Sequence, residues 1–189
     1  MFNKAFLKSL FILFSVIFLV SLATNSYFSD SVSVSGNTFQ AGTWYVEQDP
    51  KINEIYSNTD TGEIEWIELY NPNSQVLNLT NYTIEDNTPA NQKNLSTYSI
   101  SASGYLVLYK GTDFSFILNN DSDILKLKKS GSVVDQVAYG NYDDGNLSDN
   151  APAPAKGQSI ARMPNGKDTN IDNNDFQIAV TPTPGAINN

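Results

Sequence analysis

The stretch EWIELYNP (65–72) decides the fold class of this chain, because aliphatic side chains alternate with polar or aromatic ones until a proline is reached. In an extended strand, Ile67 and Leu69 point to one face and the residues between them point to the other. Proline has no N–H to donate to a β-ladder, so the strand ends before Pro72. We therefore predict a strand over 65–70 with one face in a hydrophobic core.

Short segments of the same kind recur on both sides of this strand, separated by turn residues. They are INEIY (52–56), TIE (83–85), TYSI (97–100), YLVLYK (105–110), SIAR (159–162) and FQIAV (176–180). YLVLYK is apolar on both faces, which predicts a central strand. LKLKKSGSVVDQVAY (125–139) predicts a hairpin that turns at Ser130-Gly131. No window after residue 26 has a 3.6-residue period, so we predict an all-β sandwich of seven to nine strands with almost no helix.

Residues 1–26 have the pattern of a signal peptide. Lys4 and Lys8 precede an uncharged apolar run from Leu10 to Ala23. A helix of this run extends about 21 Å, short of the roughly 30 Å hydrocarbon core of a bilayer. The length is typical of a leader, and the small residues that follow allow cleavage after Ala23 or after Ser26. An uncleaved membrane anchor is the alternative. We expect the rest of the chain to be secreted, extracellular or at the cell surface.

Composition excludes several kinds of chemistry. The chain has 11 basic and 20 acidic side chains, and no histidine or cysteine. Residues 1–26 hold two of the lysines and no acid, so the remainder has a net charge of −11. A surface this acidic repels phosphate backbones, and we expect no nucleic-acid partner. Without histidine and cysteine there is no Ser–His–Asp or Cys–His triad and no His-ligated zinc, so we expect no enzyme.

The order of the motifs resembles the lamin-tail domain family, in its bacterial and archaeal exported type. INEI, WIELYNP, GYLVL, GSVVDQVAY, GQSIAR and TPTPGAIN follow one another over residues 50–188. The resemblance implies an immunoglobulin-like β-sandwich at 50–188, preceded by the N-terminal signal helix and by an arm or edge strand at 27–49. It implies no shared catalytic residues. Signature residues are then structural, and Ser159 and Arg162 are expected to form a hydrogen-bonded pair.

A second resemblance concerns the N-terminal segment. Tyr27-Phe28-Ser29-Asp30 and the stretch GNTFQAGT (36–43) are similar to the signal-peptide region of TasA- and camelysin-type proteins. This similarity covers about 20 residues and implies processing after Ser26 and export. It implies neither protease nor fibre function, because the sandwich of those proteins does not follow.

Asp168, Asn170, Asp172 and Asp175 are the candidate metal ligands. They stand in DTNIDNND (168–175), where oxygen-bearing side chains alternate as they do in calcium loops. The segment lacks the central glycine and the bidentate glutamate of an EF-hand. Asx turns that bond their own backbone have the same composition. Calcium is therefore the one cofactor that the sequence suggests.

Three other sets of side chains allow both a functional and a structural interpretation. Glu54, Glu65 and Glu68 include candidates for the carboxylate pair of a glycosidase, but acids on exposed strand faces are the simpler interpretation. Ser159 with Lys156 or Arg162 would need a helix to place nucleophile and base together. Tyrosines can form a sugar-stacking surface or pack across strands. The tyrosines concerned are Tyr45, Tyr56, Tyr70, Tyr82, Tyr98 and Tyr142.

These observations predict a non-enzymatic exported module for cell-surface or extracellular interaction and adhesion, with a protein or polysaccharide as partner. Exposed strand edges and the polar loop 140–157 would supply the affinity. The alternative is a structural subunit of an extracellular matrix or fibre, which self-associates when residues 27–49 add as a strand to a neighbour. Calcium or carbohydrate binding is less favoured. Contact with a membrane is expected only through an uncleaved N-terminal segment.

Overall fold

The computed structural model describes residues 46–88 and 90–189. The predicted signal peptide with its helix, and the predicted arm up to residue 45, lie outside the described residues. They stay predictions, as do the domain boundaries at 50 and 188. Tyr45, one of the tyrosines considered above, also lies outside.

The described residues form eleven β-strands and one short helix, which confirms the predicted all-β fold. The elements are β1 (Lys51–Asn58), β2 (Trp66–Tyr70), β3 (Leu77–Asn78), β4 (Tyr82–Glu85), β5 (Gln92–Asn94), β6 (Ser99–Ile100), β7 (Tyr105–Tyr109), β8 (Ser122–Lys129), β9 (Ser132–Gly140), β10 (Gln158–Arg162), α1 (Asp172–Asp175) and β11 (Phe176–Ala179). The sequence predicted seven to nine strands because β3 and β5 have only two and three residues and no alternating pattern. No helix in the described ranges is long and apolar enough to cross a membrane.

The strands form two larger sheets and one small one. The five-stranded sheet has the order β11-β10-β1-β2-β7, the four-stranded sheet has the order β5-β4-β8-β9, and β3 pairs with β6. Every pairing between these strands is antiparallel. The predicted hairpin is β8–β9, with Ser130 and Gly131 both at positive φ in the turn. This two-residue turn matches the twist of the strands it joins.

The hydrophobic core lies between the two larger sheets. Ile67 and Leu69 are fully buried there, as the alternation in EWIELYNP predicts. The opposite wall comes from Leu125, Leu127 and Val137 of the β8–β9 hairpin. Each such side chain contributes about 1.5–3 kcal/mol when it leaves water. No disulfide is present in this cysteine-free chain, so burial of this kind is the main source of stability.

The prediction of a central position for YLVLYK is wrong. The segment forms β7, which is the last strand of the five-stranded sheet and pairs with β2 alone within the described residues. Leu106 and Leu108 face the core, while the tyrosines at the two ends pack on the other face of the sheet. Both faces of this edge strand are partly covered, and coverage on both faces produces the same apolar pattern as a central position.

Arg162 joins the two larger sheets, and it does not pair with Ser159 as predicted. Residues three apart on a strand point to opposite faces, so the two side chains lie on opposite sides of the five-stranded sheet, although both residues are fully buried. Its guanidinium donates to Asp135 on β9 (2.9 Å) and to Asp175 (3.4 Å). It also stacks on the ring of Phe176, 4.5 Å from the centroid. Burial raises the pKa of Asp135, and the positive charge of Arg162 opposes this rise.

Candidate functional site

A solvent-open cleft of about 580 Å³ lies on the outer face of the five-stranded sheet, which is the face turned away from the core. Its floor is formed by Tyr56 of β1 and Trp66 of β2, which are paired across the two strands. Its walls come from three distant parts of the chain: the β1–β2 connection, the end of β7 and residues 181–184. The cleft therefore exists only in the folded domain.

The aromatic floor is nearly covered. The rings of Tyr56 and Trp66 lie 5.6 Å apart between centroids, and the two residues are only 3% and 4% exposed. The Tyr56 hydroxyl donates to the carboxylate of Glu63 and accepts the N–H of Asp60 at 3.1 Å. Burial and the hydrogen bond to Glu63 raise the pKa of Tyr56, so its hydroxyl stays protonated.

The rim of the cleft combines exposed apolar side chains with carboxylates. Ile64 is 55% exposed and Tyr109 is 40% exposed. Asp60 and Glu63 stand beside them in the β1–β2 connection. Lys156 approaches Asp60 to 3.3 Å from outside the cleft, and both side chains of this pair are largely exposed. Water screens such a pair, and it holds the two side chains together only weakly.

Residues 181–188, here called the C-terminal strap, form the remaining wall and cross the outer face of the sheet. Thr183 donates its N–H (3.0 Å) and its hydroxyl (2.9 Å) to Glu54. Gly185 donates its N–H to Glu68 at 2.6 Å. Asn188 donates to the backbone carbonyls of Asn53 (3.1 Å) and Arg162 (3.0 Å). The cleft wall is thus held by hydrogen bonds to β1, β2 and the end of β10.

The antiparallel β-sandwich agrees with the result of a comparison with models of known protein families. The model of the Lamin Tail Domain family matches residues 45–141, which is just over half of the chain. The chain belongs to the Lamin Tail Domain family. The matched range ends after β9 and does not include β10, β11 or the strap. Comparison with curated proteins and with solved structures found no similar chain.

Family membership and the antiparallel sandwich together establish an immunoglobulin-like module. The resemblance to TasA- and camelysin-type proteins falls on residues outside the described ranges and stays a prediction.

Two of the three glutamates read as exposed strand-face acids are in fact fully buried in this lamin-tail domain. Glu54 and Glu68 are paired across β1 and β2, and all four of their carboxylate oxygens accept hydrogen bonds. Burial, together with the negative charge of Glu54, raises the pKa of Glu68 to about 7. Glu65 instead pairs with Lys110 at 2.6 Å. The strap therefore covers the two carboxylates that a glycosidase would need to expose.

Ser159 and Lys156 are also held apart from each other. Ser159 donates its hydroxyl to the buried carboxylate of Glu54. Lys156 points to Thr61 and Asp60 at the protein surface. The predicted Ser–Lys arrangement is therefore not formed, and Ser159 and Glu54 are both fully buried, out of reach of a substrate in solution.

The candidate metal ligands are only partly brought together. Asp168, Asn170 and Asp172 line a notch of about 250 Å³ beside the β9 edge, where Asp144 and Asp149 join them. Asp175 points away from the notch and is fully buried, accepting hydrogen bonds from Thr169 and Arg162.

The charges of this notch are partly used within the protein. Lys51 contacts Asp168 at 2.5 Å, and Asp172 accepts the N–H of Ala138 at 2.8 Å. Burial raises the pKa of Asp172 to about 7. In the described part of the chain, no three acidic side chains stand close enough to hold a metal ion. Calcium binding stays a prediction.

Of the candidate tyrosines, the five that the structure describes do not form a common platform. Tyr56 lies in the cleft floor, Tyr70 packs on Tyr105 with ring centroids 5.3 Å apart, and Tyr98 donates to Asp113 at 2.8 Å. Tyr82 is buried and bonds Asp49. Tyr142 lies half-buried in the 140–157 loop. Their spread over the domain favours packing over a shared sugar-stacking surface.

Sequence reasoning missed the residues that make the cleft accessible, namely Ile64, Glu63 and Tyr109. Ile64 and Glu63 stand in a short connection without any pattern, and Tyr109 was assigned only to a strand. The opposite wall comes from the strap. The strap follows the β1–β2 connection by well over 100 residues in the sequence. No local signal in the sequence could have joined them.

Proposed function

We propose that this lamin-tail domain is an exported, non-catalytic interaction module that binds an extracellular or cell-surface partner through the aromatic-floored cleft. The observation that carries this proposal is the exposure of Ile64 and Tyr109 at the rim of an open cleft. Large apolar side chains gathered at a concave site are typical of surfaces that bind a partner. The signal-type N-terminal segment and the absence of histidine and cysteine from the sequence support export and a role other than catalysis.

Binding of the purified mature protein to the cells that produce it tests this proposal. The amount of protein bound to the cells should fall strongly for the Ile64→Ser/Tyr109→Ser variant, because it lacks the exposed apolar side chains of the cleft. Ile117→Ser is the matched control, since Ile117 is 61% exposed but does not line the cleft. Equal binding by wild type, cleft variant and control would refute a role for the cleft.

Export is tested separately, by intact mass and N-terminal sequencing of the protein recovered outside the cells. Cleavage after Ser26 gives a chain that begins at Tyr27, and cleavage after Ala23 gives one that begins at Thr24. Recovery of the uncleaved chain in the membrane fraction would instead support the anchor alternative.

A second candidate is assembly by strand addition, which the open edge at β11 favours. β11 pairs only with β10 in the described ranges. The N–H of Met163 donates to the carbonyl of Asp175, so the backbone groups of Asp175 face β10. Successive residues of a strand direct these groups to alternate sides, so the N–H and C=O of Ile178, three residues further on, face away from β10. Val180, directly after the strand, is 73% exposed. Such an edge can accept a strand from a neighbouring chain.

Size-exclusion chromatography with light scattering separates the two candidates. Assembly predicts oligomers that disappear when residues 27–49 are deleted. A monomer with and without that segment would exclude assembly and leave the interaction module.

A further inference from the structure

In the ranges that the structure describes, the cleft has one carboxylate, that of Glu63, without a cation beside it, while the other acid of its lining, Asp60, is paired with Lys156 at 3.3 Å. Among the described residues that line it, Asp60 and Glu63 are charged and no lysine or arginine is present. Glu63 accepts hydrogen bonds from Tyr56 and Asp60, and no cation lies within 4 Å of it in the part of the chain that the structure describes. A cationic group entering the cleft would meet an unpaired carboxylate at the rim.

The accessible apolar surface of the cleft lies at its rim, because the aromatic floor is almost fully covered. Sugar binding uses a broad exposed aromatic face, but the rings of Tyr56 and Trp66 are almost covered. What remains open is aliphatic or partly aromatic, from Ile64, Pro184 and Tyr109. Such a surface is complementary to the aliphatic side chains of a peptide.

Charge also makes a basic segment a better occupant of this cleft than a second copy of this chain. The full chain has a net charge of −9, so two copies repel each other. A basic partner is attracted over a distance of about 10 Å at moderate salt, and its association is accelerated.

We infer that the cleft takes a basic, apolar peptide segment of another protein, with an aliphatic side chain against Ile64 and Tyr109 and a lysine or arginine beside Glu63. This inference rests on the proposed function of the cleft and specifies the chemistry of the partner. It predicts binding that depends on both the charge and the apolar side chains of the peptide, and that weakens as salt rises.

Tryptophan fluorescence provides a direct readout. The chain has two tryptophans, so Trp44→Phe leaves Trp66 in the cleft floor as the only one. In this background, three heptapeptides are titrated: acetyl-KVKLKVK-amide, its acidic counterpart acetyl-EVELEVE-amide and its polar counterpart acetyl-KSKSKSK-amide. We expect a saturable change with the first peptide alone, and weaker binding at 300 mM than at 30 mM salt.

Two pairs of variants separate charge from apolar contact. Glu63→Gln keeps an acceptor for Tyr56 but removes the charge, and should weaken binding about 3- to 10-fold. Its control is Asp121→Asn, an exposed acid outside the cleft. Ile64→Ser should weaken binding by at least a similar factor, and Ile117→Ser should not. Urea unfolding of each variant establishes that it is folded before titration.

Several results would overturn the inference. If acetyl-EVELEVE-amide bound as tightly as acetyl-KVKLKVK-amide, charge would not determine binding. If acetyl-KSKSKSK-amide bound as tightly, apolar side chains would not determine it. Fluorescence changes with cellohexaose instead of the KV peptide would identify a sugar site. If no peptide binds while cell binding still depends on Ile64 and Tyr109, the basic-peptide inference fails and the proposed function stands. Loss of that cell-binding dependence would refute the proposed function itself.

Discussion

Replacing Glu68 with glutamine should change how the stability of the domain depends on pH. Glu68 is fully buried between β1, β2 and the C-terminal strap, and its pKa is raised from 4.5 to about 7. Between these two values the folded state binds more protons than the unfolded state. Glu68 therefore contributes most stability below pH 4.5, and this contribution is lost as pH rises through 7.

The expected magnitude follows from the two pKa values. One pKa unit corresponds to about 1.4 kcal/mol, so ionisation of Glu68 in its buried position costs roughly 3 kcal/mol at high pH. Most of this cost, about 2–3 kcal/mol, develops between pH 5 and pH 8. Glutamine does not titrate, so the free energy of unfolding of wild type minus that of Glu68→Gln should fall by this amount over that range.

Urea unfolding at pH 5, 6, 7 and 8 measures this difference. The pKa of Asp172 is also raised to about 7 and affects the wild-type curve, but its contribution is the same in both proteins and cancels. Glu47→Gln, which removes a carboxylate at an exposed position, is the control for the loss of one negative charge. A difference between wild type and Glu68→Gln that stays constant within about 0.5 kcal/mol from pH 5 to pH 8 would refute the reasoning.

Three further predictions concern stability and metal binding. Arg162→Met should destabilise the domain by about 3–5 kcal/mol in urea unfolding at pH 7, because Asp135 and Asp175 lose a buried cation; a loss under 1 kcal/mol would contradict its role as a link between sheets. Gly140→Ala should be much more destabilising than Gly131→Ala: both have positive φ, but only at 140 does an added Cβ fall 1.8 Å from a backbone oxygen, that of Asp121. Equal melting temperatures for the two glycine variants would contradict this clash. If calcium binds, the melting temperature should rise when calcium is added, because a ligand at 100 times its Kd stabilises the folded state by about 2.7 kcal/mol. The Asp172→Asn variant should show no such rise. Identical melting in calcium and in EDTA would refute calcium binding.

Local sequence patterns predicted the strands well because each strand and turn depends on neighbouring residues. The alternation around Ile67 and Leu69 placed them correctly in the core, and Ser130-Gly131 located the β8–β9 turn. Both signals need only the two-residue period of a strand and the backbone freedom of glycine.

The cleft and the buried carboxylates were beyond these local patterns. Glu54 and Glu68 have the spacing of exposed strand-face acids, and only the strap, which follows more than 110 residues later, buries them. The edge position of β7 was missed for a related reason, since its apolar pattern depends on which other segments cover its two faces. Whether a side chain that faces away from the core is buried or exposed depends on long-range contacts, and a single sequence does not show these contacts.

If the chain is exported as proposed, the hydrogen bonds of the C-terminal strap have a consequence for how it folds. They join Glu54 to Thr183 and Asn53 to Asn188, which are 129 and 135 residues apart. A chain that crosses a membrane with its N-terminus first cannot make these contacts until residue 188 has emerged. Until translocation ends, the carboxylates of Glu54 on β1 and Glu68 on β2 would stay exposed to water. Contacts this far apart in sequence form slowly, so closing the strap is expected to be a late step in folding.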